Sequence, residues 1–305
     1  MTPNETLRRS QTDTPGLFDG RVMICDGAMG TMLNAAGFPL NGALCELSLS
    51  RPEVVAAVHQ AYITAGAEVI ETNSFLASRT QLSHHGLEGR VREINLAAAR
   101  VARDAAAAAS RQVLVAGSVG PATNSVSWRR ADPVAVRDAF REQIAALVEG
   151  GVDLIIFETF GGLAELTEAI AAAHEVTLAL PLVAQMYFLD NGRSLAGERP
   201  SLVAASLDHL GLAAIGANCL GSLEALLKVL TEMAGHTSLP LTAQPNAGTP
   251  ALVNGRLRYS ALPDEYAAYA ARYAEAGAAL VGGCCGTTPA HIRAATRALG
   301  LTPPA

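Results

Sequence analysis

A closed barrel of eight parallel strands wrapped by helices, the (β/α)8 or TIM barrel, is the fold class this sequence predicts. Three observations predict it. Short apolar, often β-branched runs recur at residues 22–25, 69–72, 113–116, 154–157, 182–186, 214–217, 239–243 and 279–282. Helical patterns separate them, and apolar strands alternating with helices mark a parallel sheet buried on both faces. Polar or thiol residues follow these runs: Asp26, Asn73, Glu158, Cys219, Asn246, Cys284 and Cys285. A barrel gathers such strand ends around one mouth, where barrel enzymes build their sites, whereas an open sheet scatters them along an edge.

The elements follow in order. Residues 1–16 are polar, with no apolar h-region, and are expected to form a flexible N-terminal tail rather than a signal peptide. Residues 17–305 are expected to form one barrel domain. After the first run, helical spacing predicts a helix over 51–64, with Val54, Val58 and Tyr62 at four-residue steps. Ser50 and Glu53 match a capping box for it. The alanine-rich stretch 97–109 is interrupted by Arg100, Arg103 and Asp104, which marks a soluble helix. Gly66, Gly151 and Gly277 stand where a helix ends before a strand, as left-handed caps do. The polar, glycine-containing loop 190–200 is a candidate lid or entrance loop, set against a plain surface loop as the ordinary reading. Thr288 and Pro289 read as the N-cap and first residue of the last helix. His291, in that helix's first turn, is expected on its surface.

Composition excludes several classes of function. The chain has 305 residues, 50% hydrophobic and 5% aromatic, with a net charge of −6. There is no electrostatic footprint for nucleic acid and no stacking platform. No apolar run is long enough to span a bilayer. Five cysteines, an odd and sparse set, suit a reducing compartment, so a cytoplasmic location is expected. Lys228 is the only lysine, on a helical segment well after the sixth run, which argues against a Schiff-base lyase or aldolase.

The chemistry concentrates in Gly282-Gly283-Cys284-Cys285-Gly286-Thr287-Thr288-Pro289 and in Cys219, which ends Ile215-Gly216-Ala217-Asn218-Cys219. Adjacent cysteines are poor disulfide partners, so the pair reads as ligands. Three thiols brought together make a soft metal site with a position to spare, and zinc is the closest fit. Zinc with three thiolates carries a net charge of −1, which suits activation of a substrate thiol better than hydrolysis. The side-chain oxygen of Asn246 is expected to fill the fourth position when substrate is absent. Cys25 and Cys45 read as small buried hydrophobes.

At these residues the chain resembles the homocysteine S-methyltransferase family. The resemblance runs from Val22 to Ala295. It is carried by Cys25-Asp26-Gly27-Ala28-Met29-Gly30-Thr31, Glu71-Thr72-Asn73-Ser74-Phe75, Phe157-Glu158-Thr159 and Gly216-Ala217-Asn218-Cys219. Gln244-Pro245-Asn246-Ala247-Gly248 and the double-cysteine motif complete it. It is similar to the homocysteine-binding modules of cobalamin-dependent methionine synthases and of fusions with methylenetetrahydrofolate reductase. The resemblance implies a zinc-bearing barrel that methylates the sulfur of L-homocysteine to give methionine. It carries the metal onto Cys219, Cys284 and Cys285, and substrate contacts onto Asp26, Gly27 and Glu158. An amino acid zwitterion needs carboxylates for its ammonium group, which Asp26 and Glu158 supply. It needs N–H donors for its carboxylate, which the turn from Gly27 to Gly30 supplies. No side chain is expected to be covalently modified.

The methyl donor stays open between S-methylmethionine, a betaine-like compound and methylcobalamin held by another protein. Tyr187, Phe160 and Trp128 are candidate cation–π surfaces for a cationic donor, set against ordinary packing. No Asp-x-His-x-x-Gly cobalamin signature occurs. The alternative function is a homocysteine-binding subunit of a split cobalamin-dependent methionine synthase.

Overall fold

The computed structural model describes residues 17–18, 20–123, 131–253 and 256–301. The proposed tail 1–16 and Trp128 lie outside the described residues. The strands are β1 (Met23–Ile24), β2 (Val69–Glu71), β3 (Leu114–Val119), β4 (Leu154–Phe160), β5 (Leu182–Met186), β6 (Ala214–Asn218), β7 (Leu241–Gln244), β8 (Pro250–Val253), β9 (Arg256–Tyr259) and β10 (Ala278–Val281). Eight of them form one parallel sheet in the order β1-β10-β7-β6-β5-β4-β3-β2. A parallel bridge between Cys25 and Val69 joins its two ends, with Asp26 N–H donating to Val69 O at 2.9 Å. The sheet is therefore a closed (β/α)8 barrel, and each predicted run lies on one of its strands. The seventh begins later than expected, at Leu241, because Pro240 has no N–H for the ladder.

Side-chain parity organises the interior. Successive residues of a strand point to opposite faces. Met23, Cys25, Val69, Ala116, Leu154, Ile156, Val183, Ala214 and Leu280 form a distinct buried cluster that fills the barrel. Their odd-step neighbours, among them Ile24, Ile70, Val115, Ile155 and Ile215, belong to the larger core beneath the helices. Continuing the inward parity towards the C-terminal ends reaches Glu71, Ser118, Glu158, Gln185, Asn218 and Gln244. The barrel thus changes from an apolar plug to a polar layer within one or two residues.

The antiparallel hairpin of β8 and β9 was not among the predicted strands. It follows β7; Leu252 and Leu257 are exposed, and in β9 Arg256 and Arg258 alternate with Leu257 and Tyr259, so that strand lacks the all-apolar character used to find the barrel strands.

Two local expectations need correction. Helix Pro52–Ala65 has Arg51 as its N-cap, with no side-chain cap bond. Ser50 instead ends the preceding turn of helix and donates through Oγ to Glu46 at 2.7 Å, and Pro52, with φ already fixed, starts the helix. At the other end Gly66 is left-handed, with φ 117°. His291 is buried rather than on the surface. Its Nδ1 accepts from Thr288 N–H at 3.2 Å and its Nε2 faces Ala261 O at 3.1 Å, so it caps the helix and ties it to the segment after β9. Thr288 and Pro289 stand where expected. Loop 190–200 is ordered: Ser194 Oγ donates to Glu198 at 2.6 Å, and Glu198 accepts from Leu163 N–H at 3.1 Å.

His59, on the helix Pro52–Ala65, is fully buried with neither ring nitrogen partnered among the described residues. Burial lowers its pKa from 6.5 to about 4. Between those values the unfolded chain takes a proton that the folded chain refuses, so stability falls as pH drops from 6.5 to 4. The loss reaches about 3 kcal/mol at pH 4. The unfolding free energy of His59→Leu relative to wild type, measured by urea denaturation, is expected to grow by that amount between pH 7 and pH 4.

Candidate functional site

The three cysteines expected to be ligands meet at the mouth. Cys219 follows β6, and Cys284 and Cys285 follow β10, two strands that flank β7. Cys219 Sγ lies 4.0 Å from Cys285 Sγ, and all three sulfurs lie within 4.8 Å of one another. Three thiolates on a tetrahedral metal at 2.3 Å would stand about 3.8 Å apart, so little movement separates this cluster from a ligand set. Hydrogen bonds from Cys219 and Cys284 hold Cys285 down at about 3. The same sulfur contacts, together with burial, push Cys284 up.

Backbone strain marks the same place. Cys219 and Thr159 are the non-glycine residues with positive φ, both at 64°, among those described. Each such residue costs about 1–3 kcal/mol and persists only where its surroundings enforce it. Here Asn218 enforces it. Its Oδ1 accepts from Thr159 N–H at 2.7 Å, while its Nδ2 reaches Thr159 Oγ1 at 2.8 Å and Cys284 Sγ at 3.9 Å. Cys219 N–H donates to Gln244 O at 2.9 Å and Cys284 N–H to Pro245 O at 2.7 Å. These bonds fix where both strand ends point their sulfurs.

Asn246 sits beside the cluster. Its Nδ2 donates to Cys219 O at 2.9 Å, and its buried Oδ1 has no partner among the described residues. Three converging thiols, with an unpartnered buried oxygen on a residue hydrogen-bonded to one of them, are a donor set that fits a soft metal ion.

Three carboxyls line the same cavity, whose volume is about 390 Å³. They are Asp26 after β1, Glu71 at the end of β2 and Glu158 in β4. Asp26 Oδ2 accepts from Glu71 N–H at 3.0 Å, and Glu158 accepts from Ser118 Oγ at 2.5 Å and from Asn218 Nδ2 at 3.3 Å. Burial, and then mutual repulsion, raises all three above the ordinary carboxylate range, Glu71 to about 7. No lysine or arginine is among the residues lining the cavity.

Gly27 is required by close approach: a Cβ there would stand 2.5 Å from Thr287 Oγ1 and 2.9 Å from Tyr62 OH. Ala28 N–H is already taken by Thr287 Oγ1 at 3.0 Å. The turn therefore has fewer open N–H groups than its sequence implies. Gly286, left-handed at φ 79°, lets Tyr259 cross it; a Cβ there would lie 2.1 Å from the ring. Gly286→Ala is expected to displace Cys285 and weaken metal retention more than tenfold, measured by competition with a chelator, although no ligand is altered.

Of the aromatic candidates, Phe160 is fully buried against Phe140 and Phe157 and is core. Tyr187 is half-buried near Cys219. Tyr259 and Leu257, from the hairpin, line the cavity and were missed; Asn254-Gly255 between alternating residues was the available hairpin signal. Cys25 and Cys45 are buried as expected, and Cys25 Sγ also faces Asp26 at 3.7 Å and Glu71 at 3.6 Å. Glu71 and Asn218 stand inside quoted motifs, but motif position alone gave them no role.

The sequence is 34% identical over 296 residues to a methionine synthase of Mycobacterium tuberculosis, covering 92% of this chain and 25% of the relative. It is 33% identical over 287 residues to that of Mycobacterium leprae, covering 90% and 24%. The chain thus spans about a quarter of the length of these relatives. The crystal structure of the metallated homocysteine methyltransferase MmuM from Escherichia coli superposes with a TM-score of 0.79 at 28% identity, covering 93% of this chain and 98% of that one. The family described as homocysteine S-methyltransferase matches residues 23–299, and the chain belongs to that family.

Proposed function

We propose that this protein methylates L-homocysteine on sulfur to form methionine, with zinc held by Cys219, Cys284 and Cys285. The observation that carries this reading is one cavity with three converging thiols and buried carboxyls that lack a cation. Zinc on three thiolates would lower the pKa of an incoming thiol and keep its sulfur electron-rich. Asp26 and Glu158 receive the ammonium group. The backbone after Gly27 receives the carboxylate through the N–H groups left open by Thr287. Asn246 serves as the exchangeable ligand in the absence of substrate. The cavity walls exclude water and hold the sulfur in line with the donor methyl, so that the new S–C bond forms as the donor's bond breaks.

In the test, metal-analysed protein is incubated with homocysteine and, in turn, S-methylmethionine, glycine betaine and methylcobalamin. Methionine formation with one equivalent of zinc per chain is expected. Full turnover by metal-free protein would reject the reading.

A second reading is favoured by the apolar rim of the mouth. Leu40, Leu76, Leu189, Leu195, Leu252 and Leu257 are exposed on segments that follow β1, β2, β5 and β7. In that reading methylcobalamin arrives on another protein that covers the rim, and this chain is the homocysteine-binding subunit. The pure chain then binds homocysteine but turns over only when that protein is added. No helix among the described residues is long and apolar enough to cross a membrane, and five uncrosslinked thiols support a reducing, cytoplasmic setting.

A further inference from the structure

We infer that Glu71 is a third receptor for the primary ammonium of the substrate, and that Gln244 and Gln185 are positioning residues that aim it. The inference rests on the homocysteine reading above and assigns a group that reading did not use.

Glu71 shares the cavity with Asp26 and Glu158, and the three carboxyls come from three strands of the barrel. Their hydrogen bonding differs. In Asp26, Oδ2 accepts from Glu71 N–H, while Oδ1 faces the Cys25 thiol, whose single proton serves either Asp26 or Glu71. In Glu158 both have donors, Ser118 and Asn218. In Glu71 both donors converge on Oε1, Gln244 Nε2 at 2.8 Å and Cys25 Sγ at 3.6 Å. The Glu71 carboxyl is also hydrogen-bonded to that of Glu158.

Behind Glu71 stands a polar chain that crosses the barrel. Gln244 Oε1 accepts from Gln185 Nε2, and Gln185 Nε2 also meets Thr242 Oγ1 at 3.1 Å. Gln185, Thr242 and Gln244 are buried, and Gln185 Oε1 has no partner among the described residues. Burying amides in a barrel core is costly, and one orphaned oxygen adds to the cost. The chain points every N–H one way, from β5 through β7 to the Glu71 carboxyl at the end of β2. Its product is a carboxyl clamped at one oxygen by Gln244 and held against Glu158.

An R–NH₃⁺ group has three N–H donors, and three carboxyls supply three acceptors. One cation beside these groups also removes the mutual repulsion of Glu71 and Glu158. The site is therefore matched to a primary amine, and a ligand without that group gains nothing from Glu71.

The test uses the full zinc-loaded chain and titration calorimetry with two thiols, homocysteine and 4-mercaptobutanoate, which has the same thiol and carboxylate but no amine. Glu71→Gln is expected to weaken homocysteine binding by about 10- to 100-fold, the range for a hydrogen bond to a charged group, and to leave 4-mercaptobutanoate within about twofold. Gln244→Met, which removes the clamp and keeps the carboxyl, is expected to lower the same selectivity ratio to a smaller degree, and it carries the test if Glu71→Gln does not fold. Equal losses for both thiols, or an unchanged ratio, overturn the inference while the homocysteine reading stands. Wild-type protein that binds neither thiol overturns both.

Discussion

Replacing Cys219 or Cys285 by alanine is expected to strip the protein of bound metal and to cut methionine formation by roughly 10³-fold or more, the several kcal/mol that metal activation supplies. The barrel should survive. None of the three ligand cysteines is fully buried, and none belongs to the clusters that fill the barrel or underlie the helices. Metal analysis after gel filtration is expected to fall from one equivalent to near zero, with far-UV circular dichroism unchanged. Two ligands on separate strands cannot replace a third, because strand geometry, not side-chain reach, sets the sulfur positions: Cys219 is held by Gln244 O and Cys284 by Pro245 O. Asn246→Ala is the contrasting case. Its oxygen is the ligand that substrate displaces in the proposed cycle, so metal affinity without homocysteine should fall while turnover at saturating homocysteine stays within a few-fold. Equal damage from Asn246→Ala and Cys219→Ala would reject an exchangeable role for Asn246.

The barrel was legible because its strands are buried on both faces and so read as apolar runs. The thiol cluster was legible because cysteines at two strand ends have little other use there. The hairpin was not legible by that rule, since its second strand alternates Arg256 and Arg258 with Leu257 and Tyr259 and its first is a four-residue run opened by Pro250. Glu71 and Asn218 were hidden for another reason. Each ends a strand that otherwise looks like core, and only inward parity in a closed barrel turns that last residue towards the mouth. His291 was misplaced because a histidine in a first helical turn looks solvent-facing until Ala261 is seen to cover it. The tertiary partner, and not the local sequence, decides such cases.

Asp26→Asn separates recognition from folding, because the two effects have opposite signs. Asn keeps an oxygen to accept from Glu71 N–H, so the turn between β1 and the next helix should hold its shape. What disappears is a buried negative charge facing a cavity with no lysine or arginine in its lining. Burial raises the Asp26 pKa well above its ordinary value, with Glu158 adding to the rise. A carboxyl raised in the folded state lends stability below its unfolded value and withdraws it as pH climbs through the folded value. Wild type therefore loses stability on going from pH 4 towards pH 7, and the variant lacks that loss. Ligand-free Asp26→Asn is therefore expected to be more stable than wild type at pH 7. The gain should shrink towards zero near pH 4, read by chemical denaturation at both values. Homocysteine recognition should move the other way, with kcat/KM falling about 100-fold as a charged acceptor for the ammonium is lost. A variant that loses stability and activity together would show Asp26 to be a turn residue; one that gains stability and loses substrate shows that the fold tolerates this charge for the sake of its ligand.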